Sequence, residues 1–191
     1  MKIGVLSLQG DFSKHFQTLK LLGIQSIEVR SAQDLELCDG LILPGGESTT
    51  ILKLIIQNNL FEKIQNFGKE RFIMGTCAGA ILLAEKVINP PMQSLKLINI
   101  EVSRNAYGRQ IDSFIDRVEV SLNSKKELFE GIFIRAPKIE KIGDGVKPLG
   151  YYKKIVVLAE NKNVLVSTFH PELTNNHMIH KYFINKIRES S

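Results

Sequence analysis

Phe72-Ile73-Met74-Gly75-Thr76-Cys77-Ala78-Gly79-Ala80 passes from an apolar run through a Gly-x-Cys-x-Gly turn into a stretch of Ala, Ile and Leu. Short apolar runs stopped by glycine read as buried strands, and longer ones as helices. The segment therefore predicts a strand at 72–74, a sharp turn at 75–79 and a helix at 80–87. Similar units precede it. Residues 2–8 read as a buried strand. A helix follows on Phe12, Phe16, Leu19 and Leu22, closed by Gly23. Strands are expected at 24–29 and 40–43, with a short helical turn at 31–35 capped by Ser31. Pro44-Gly45-Gly46 stops the third strand. Ser48 then opens a helix carrying Ile51, Leu52, Ile55 and Ile56, and a further helix covers 60–67.

Strands alternating with helices predict a parallel sheet covered on both faces. Beyond residue 97 the texture changes. Strands are expected at 97–103, 111–120, 131–135, 148–158 and 164–169, with Asn161-Lys162-Asn163 as a hairpin turn. A helix at 176–188 closes the chain, with Ile179, Phe183 and Ile187 on one face. The expected fold class is α/β: an open, mostly parallel sheet flanked by helices, with an added, partly antiparallel β region. With no repeat or linker in its 191 residues, one domain over 1–191 is expected.

The Gly75–Gly79 turn has the form of a nucleophile elbow with cysteine in the serine position. The thiolate is the reactive form of cysteine, and a helix N-terminus favours negative charge. The Ala78 N–H is placed to donate to an oxyanion. The plainer alternative is a small buried cysteine beside a tight turn. A thiol nucleophile needs a base. His170-Pro171-Glu172 follows the apolar run at 164–169, so it too lies at a strand end. In an extended segment residues i and i+2 share a side. Glu172 would then orient the His170 ring toward Cys77, the logic of a catalytic triad. Alone, that pair reads equally well as solvated. His177 and His180 are expected at the surface. In the loop Pro44-Gly45-Gly46-Glu47-Ser48, glycines let backbone amides approach an anion, and no phosphate-loop signature is present.

Composition narrows the field. Two cysteines, Cys38 and Cys77, exclude a disulfide scaffold, and Cys38 is expected in packing or at the surface. His170-x-Glu172 lacks the cysteines that a zinc deaminase requires, so no metal is expected. The net charge of +5 is scattered, which argues against a nucleic-acid surface. No stretch approaches a membrane span and no signal peptide is evident, so a cytoplasmic protein is expected.

Leu41-Ile42-Leu43-Pro44-Gly45-Gly46-Glu47-Ser48-Thr49-Thr50, Gly75-Thr76-Cys77-Ala78-Gly79 and Phe169-His170-Pro171-Glu172-Leu173-Thr174 resemble the motifs of class I (triad) glutamine amidotransferases. Three further segments narrow the resemblance: Leu8-Gln9-Gly10, the stretch 104–114 with Arg104 and Arg109, and Phe133-Ile134-Arg135-Ala136-Pro137. Together they are similar to the glutaminase subunits of deoxyxylulose-independent pyridoxal 5'-phosphate synthases. The resemblance implies a flavodoxin-like core. It implies that Cys77 attacks the side-chain amide of L-glutamine, that His170 moves protons and that Glu172 orients His170. Gly46, Glu47 and Ser48 would line the glutamine site, with Gly46 and Ala78 near the oxyanion. Arg104, Ile134 and Arg135 would contact substrate. A guanidinium suits an amino-acid carboxylate. Arg109 stays open between substrate and surface or subunit contact. No cofactor is implied. The implied partner is a (β/α)-barrel synthase subunit that receives the ammonia, and the family's glutaminase is weakly active without it. Two alternatives remain: a triad glutaminase serving another synthase, and a non-catalytic cysteine sensor of the DJ-1-like group. Members of that group place histidine directly after the cysteine, where this chain has Ala78.

Overall fold

The strands β1 (Lys2–Leu6), β2 (Gln25–Val29), β3 (Gly40–Leu43) and β4 (Phe72–Thr76) pair in parallel in the order β2-β1-β3-β4, and β12 (Val164–Ser167) adds to β4, also in parallel. The computed structural model describes residues 1–104 and 113–190. Beyond β12 the same sheet continues antiparallel through β11 (Ile155–Glu160), β10 (Lys147–Tyr152), β7 (Ser113–Leu122) and β8 (Lys125–Ile134). A smaller sheet joins β5 (Ala84–Ile88), β6 (Ile98–Ser103) and β9 (Lys138–Ile142).

The central strands β3, β4 and β12 are buried at every position and mostly apolar because both faces are covered. Alternate residues point to opposite sides. Ile3, Val5, Ile42, Met74 and Leu165 face α1 (Phe12–Leu21) and α6 (Met178–Ser190), packing against Leu19, Ile179, Phe183 and Ile187. Leu41, Leu43, Ile73, Val164 and Val166 face the other way. They pack with Ile51 and Ile55 of α3 (Ser48–Gln57), Ile64 of α4 (Phe61–Glu70) and Ile81 of α5 (Ala78–Leu83). The short α2 (Ala32–Glu36) carries a full capping box between Ser31 and Asp34. Among the described residues no helix is long and apolar enough to cross a membrane.

Several expectations need correction. The helix after Cys77 ends at Leu83 rather than at Val87, and 84–88 is strand β5. The cause is non-local: the Leu82 and Leu83 carbonyls accept the Leu95 and Leu97 amides at 2.7 and 2.9 Å, and β5 pairs with β6. Ser48 does not cap α3. Glu47 does, its Oε2 accepting the Thr50 N–H at 2.7 Å, and Ser48 is already helical. The stretch 148–158 is two strands folded back at Lys153-Lys154, with Lys153 at φ 55°. The strand expected at 131–135 starts at Lys125, because Asn123 and Ser124, at φ 48° and 64°, make a two-residue hairpin turn from β7. β9 was not expected. The first residues of the strand expected at 111–120 lie outside the described residues.

Candidate active site

The parallel strand order reverses between β1 and β3, and ligand clefts in open α/β sheets form at the carboxyl ends beside such a reversal. The chain turns there after β1, β3, β4 and β12. At the end of β4, Cys77 sits at φ 49°, ψ −103°, a conformation that costs a non-glycine residue about 1–3 kcal/mol. The surroundings hold it. Its N–H donates to the Ser167 carbonyl at 2.8 Å, and its carbonyl accepts the Ala80 N–H at 3.1 Å. The flanking glycines are there for close approach. A Cβ on Gly79 would stand 2.1 Å from the Leu43 carbonyl oxygen, and one on Gly75 would stand 2.6 Å from the Gly79 carbonyl carbon. The thiol is 6% exposed at the cleft, with the Ile134 carbonyl 3.8 Å from Sγ. Ala78 opens α5, where the first amides have no partner within the helix.

His170 follows β12, its N–H donating to the Ile132 carbonyl of β8 at 2.9 Å. The link to Glu172 is not the extended arrangement expected. Pro171–Leu173 form a 3₁₀ turn that curls Glu172 back, bringing Oε1 to 2.7 Å from His170 Nδ1. Both side chains are buried. The ring rests on the backbone of Gly45, where a Cβ would stand 2.4 Å from Cε1. Nε2 is buried and lies beyond strict hydrogen-bond geometry from any described group, yet the Cys77 sulfur is close enough to act on the ring's charge. Burial pushes the His170 pKa down, but Cys77 and Glu172 outweigh it and raise it to about 10. Burial likewise opposes ionisation of Glu172. His15 on one side and the His170 hydrogen bond on the other hold its carboxyl below the usual range.

Two histidines behind the pair were not anticipated there. His15 is fully buried, its Nε2 3.6 Å from Glu172 Oε1 and 3.3 Å from Thr76 Oγ1. Its Nδ1 lies 3.1 Å from Nε2 of His180. His180 was expected at the surface and is instead fully buried, while His177 is only partly covered. The signal was available. His15 shares the helical face of Phe12, Phe16 and Leu19, and His180 shares that of Phe183, Ile184 and Ile187. Burial pushes the pKa of both below the ordinary histidine value, that of His180 to about 3.

The cleft in front holds about 180 Å³ and is lined by Asp11, Gly46, Glu47, Ser48, Cys77, Ile81, Arg104, Ile134, Arg135 and His170. Of the described residues assigned to the site from sequence, Ala78 and Glu172 stand behind this lining, and Asp11 and Ile81 are additions. Arg104 reaches across, its Nη2 3.5 Å from Glu47 Oε1. Burial pushes the Glu47 pKa up, but the combined hydrogen bonds from Thr49 and Thr50 outweigh it and hold the carboxyl down at about 2. The loop is braced by Gln9, whose Oε1 accepts the Glu47 N–H at 2.9 Å. Arg135 follows β8 at φ 42°. Arg109 lies outside the described residues. Cys38 is elsewhere and fully buried, its thiol donating to the Asp34 carbonyl at 3.2 Å.

Comparison with known proteins gives one consistent result. The model of the SNO glutamine amidotransferase family matches residues 5–189. A protein of Thermosipho africanus (strain TCF52B) named pyridoxal 5'-phosphate synthase subunit PdxT is 47% identical over 190 residues, covering 99% of this chain and 100% of that one. A protein of the same name from Solibacter usitatus (strain Ellin6076) is 48% identical over 190 residues, covering 97% and 99%. Among solved structures, one described as a crystal structure of glutamine amidotransferase superposes with a TM-score of 0.91 at 42% identity, covering 97% of this chain and 98% of its own.

Proposed function

The chain belongs to the SNO glutamine amidotransferase family, and from that premise we propose that it is the glutaminase subunit of a pyridoxal 5'-phosphate synthase. It hydrolyses L-glutamine to L-glutamate and ammonia and hands the ammonia to a synthase barrel subunit for vitamin B6 formation. The observation that supports this reading most directly is the convergence of Cys77 and the His170–Glu172 pair on a cleft that Arg104 and Arg135 also line.

In this reading the α-carboxylate of glutamine meets the guanidinium groups of Arg104 and Arg135, with Arg104 exchanging part of its contact with Glu47 for the substrate. Gly46, Glu47, Ser48 and the Ile134 carbonyl line the rest of the site. His170 holds the proton that Cys77 gives up, and the thiolate attacks the side-chain amide carbon. The carbonyl oxygen becomes an oxyanion that accepts from the amides of Ala78 and Gly46. His170 returns the proton to the amide nitrogen as the C–N bond breaks, releasing ammonia and leaving a γ-glutamyl thioester on Cys77. Water then attacks the thioester, with His170 as base. Glutamate leaves, and the thiol is restored. Glu172 accepts from Nδ1 throughout, which keeps Nε2 as the nitrogen that exchanges the proton.

The deciding experiment measures ammonia and glutamate release from glutamine, with and without a pyridoxal 5'-phosphate synthase barrel subunit. Activity is expected with the subunit and is expected to vanish in Cys77→Ala. Full activity in that variant overturns the reading.

A further inference from the structure

Behind the cleft, four polar side chains form one buried line: His170, Glu172, His15 and His180. Consecutive separations are 2.7 Å (His170 Nδ1 to Glu172 Oε1), 3.6 Å (Oε1 to His15 Nε2) and 3.1 Å (His15 Nδ1 to His180 Nε2). None of the four is more than 4% exposed. His15 comes from α1 and His180 from α6, two helices that are otherwise packed by apolar side chains. Polar atoms buried in such surroundings must have their hydrogens accounted for.

One arrangement of protons satisfies these atoms best. An ionised Glu172 only accepts, so His170 Nδ1 carries a proton. A neutral His15 has a single N–H. With that proton on Nε2, the N–H faces the Glu172 carboxylate and Thr76 Oγ1, 3.3 Å away. His15 Nδ1 then accepts from His180 Nε2–H, and His180 Nδ1 keeps only a lone pair. Among the described residues that buried Nδ1 has no hydrogen-bond partner. The reverse arrangement aims a lone pair at the carboxylate and puts the His180 proton on the partnerless Nδ1. A buried N–H without an acceptor costs more than an unused lone pair.

We propose that His15 is a positioning residue of the glutaminase: its Nε2–H braces Glu172 from behind, and His180, donating to His15 Nδ1, fixes the His15 tautomer that does so. Glu172 Oε1 then has an imidazole N–H on either side, hydrogen-bonded from His170 at 2.7 Å and in longer electrostatic contact with His15 at 3.6 Å, which disfavours a swing away from His170. The proposal rests on the glutaminase reading above.

The test compares wild type, His15→Leu and His15→Gln in complex with the synthase subunit, glutamine being the substrate. Glutamine at position 15 keeps a side-chain N–H at the reach of Nε2, and leucine has none. His15→Leu is expected to lose about tenfold or more in kcat, with KM within about twofold, and His15→Gln to recover most of it. Unchanged kcat in a folded His15→Leu, or equal loss in both variants, overturns the proposal. Nitrogen NMR of histidine-labelled wild type reads the tautomers without any variant. Neutral His15 with the proton on Nε2 is expected, and a proton on Nδ1 overturns the proposal. A wild-type complex that releases no ammonia sinks the glutaminase reading instead, and the tautomers still decide the bracing.

Discussion

Gly45 and His170 meet at the one point where Gly45 has no side chain: a Cβ there would stand 2.4 Å from His170 Cε1 and 3.1 Å from its Nδ1. The ring cannot retreat freely, because Nδ1 is tied to Glu172 at 2.7 Å. Gly45→Ala therefore shifts the imidazole relative to Cys77. Misplacement of a reacting group by about 1 Å costs on the order of 10²-fold. The variant is expected to fold, with kcat for glutamine hydrolysis down by about 10–100-fold. Wild-type turnover in Gly45→Ala excludes this account of the contact.

Glu172→Gln keeps the shape of the carboxylate and removes its charge. The His170 pKa of about 10 is opposed by burial and sustained by Cys77 and Glu172, so the substitution lowers it toward the ordinary value of about 6.5. A proton held in the native state and released on unfolding stabilises the fold below about pH 6.5, and that contribution is lost as pH climbs through about 10. In Glu172→Gln the alkaline decline in stability flattens, and kcat falls by about 10²–10⁴ as the ring loses its orienting acceptor. Chemical denaturation at pH 7, 8.5 and 9.5 beside a turnover assay checks both. An unaltered alkaline decline removes Glu172 as its cause.

The parallel half of the fold was legible because most of its strands are short apolar runs bounded by glycine, proline or a capping residue, all local signals. The antiparallel half was less so. Lys153-Lys154 carries no turn chemistry, yet β10 and β11 fold back on each other there, so the turn is imposed by strand pairing. The helix stop at Leu83 depends on amides of residues 95 and 97. In the site, the elbow and the His170–Glu172 pair were readable from spacing, whereas the backing by His15 and His180 joins residues 165 positions apart. Helical periodicity gives each an apolar helix face, a signal that the surface expectation for His180 passed over, and no local pattern says that the two faces meet.

The two cysteines should separate under alkylation. Burial pushes the Cys38 thiol up to about 11, and neighbouring Arg71 and Lys2 offset this only partly. Only the thiolate reacts appreciably, so Cys38 in the native protein is inert near pH 7.5. Cys77 opens on the cleft. Brief treatment with iodoacetamide, followed by peptide mass mapping, is expected to give one adduct, on Cys77, and loss of glutaminase activity in step with it. A Cys38 adduct appearing at the same rate rules out the packed thiol described above.

Acid stability tests the buried histidines themselves. Burial first, and the neighbouring His15 next, lower the His180 pKa to about 3, and burial lowers His15 as well. The unfolded chain protonates both near pH 6.5. Below that pH the unfolded state therefore binds protons that the native state refuses. Stability falls as the medium is acidified from about 6.5, by up to about 1.4 kcal/mol per pH unit for each histidine, and for His180 the loss continues to about pH 3. His170 adds nothing in this window, because its raised pKa leaves it protonated in both states. His180→Gln removes one titrating group while keeping an N–H for His15 Nδ1. Urea unfolding at pH 6.5, 5.5 and 5.0 is then expected to show a shallower slope of stability against pH than wild type. Equal slopes in the two proteins mean that His180 does not stay neutral in the core, and the tautomer chain through His15 falls with it.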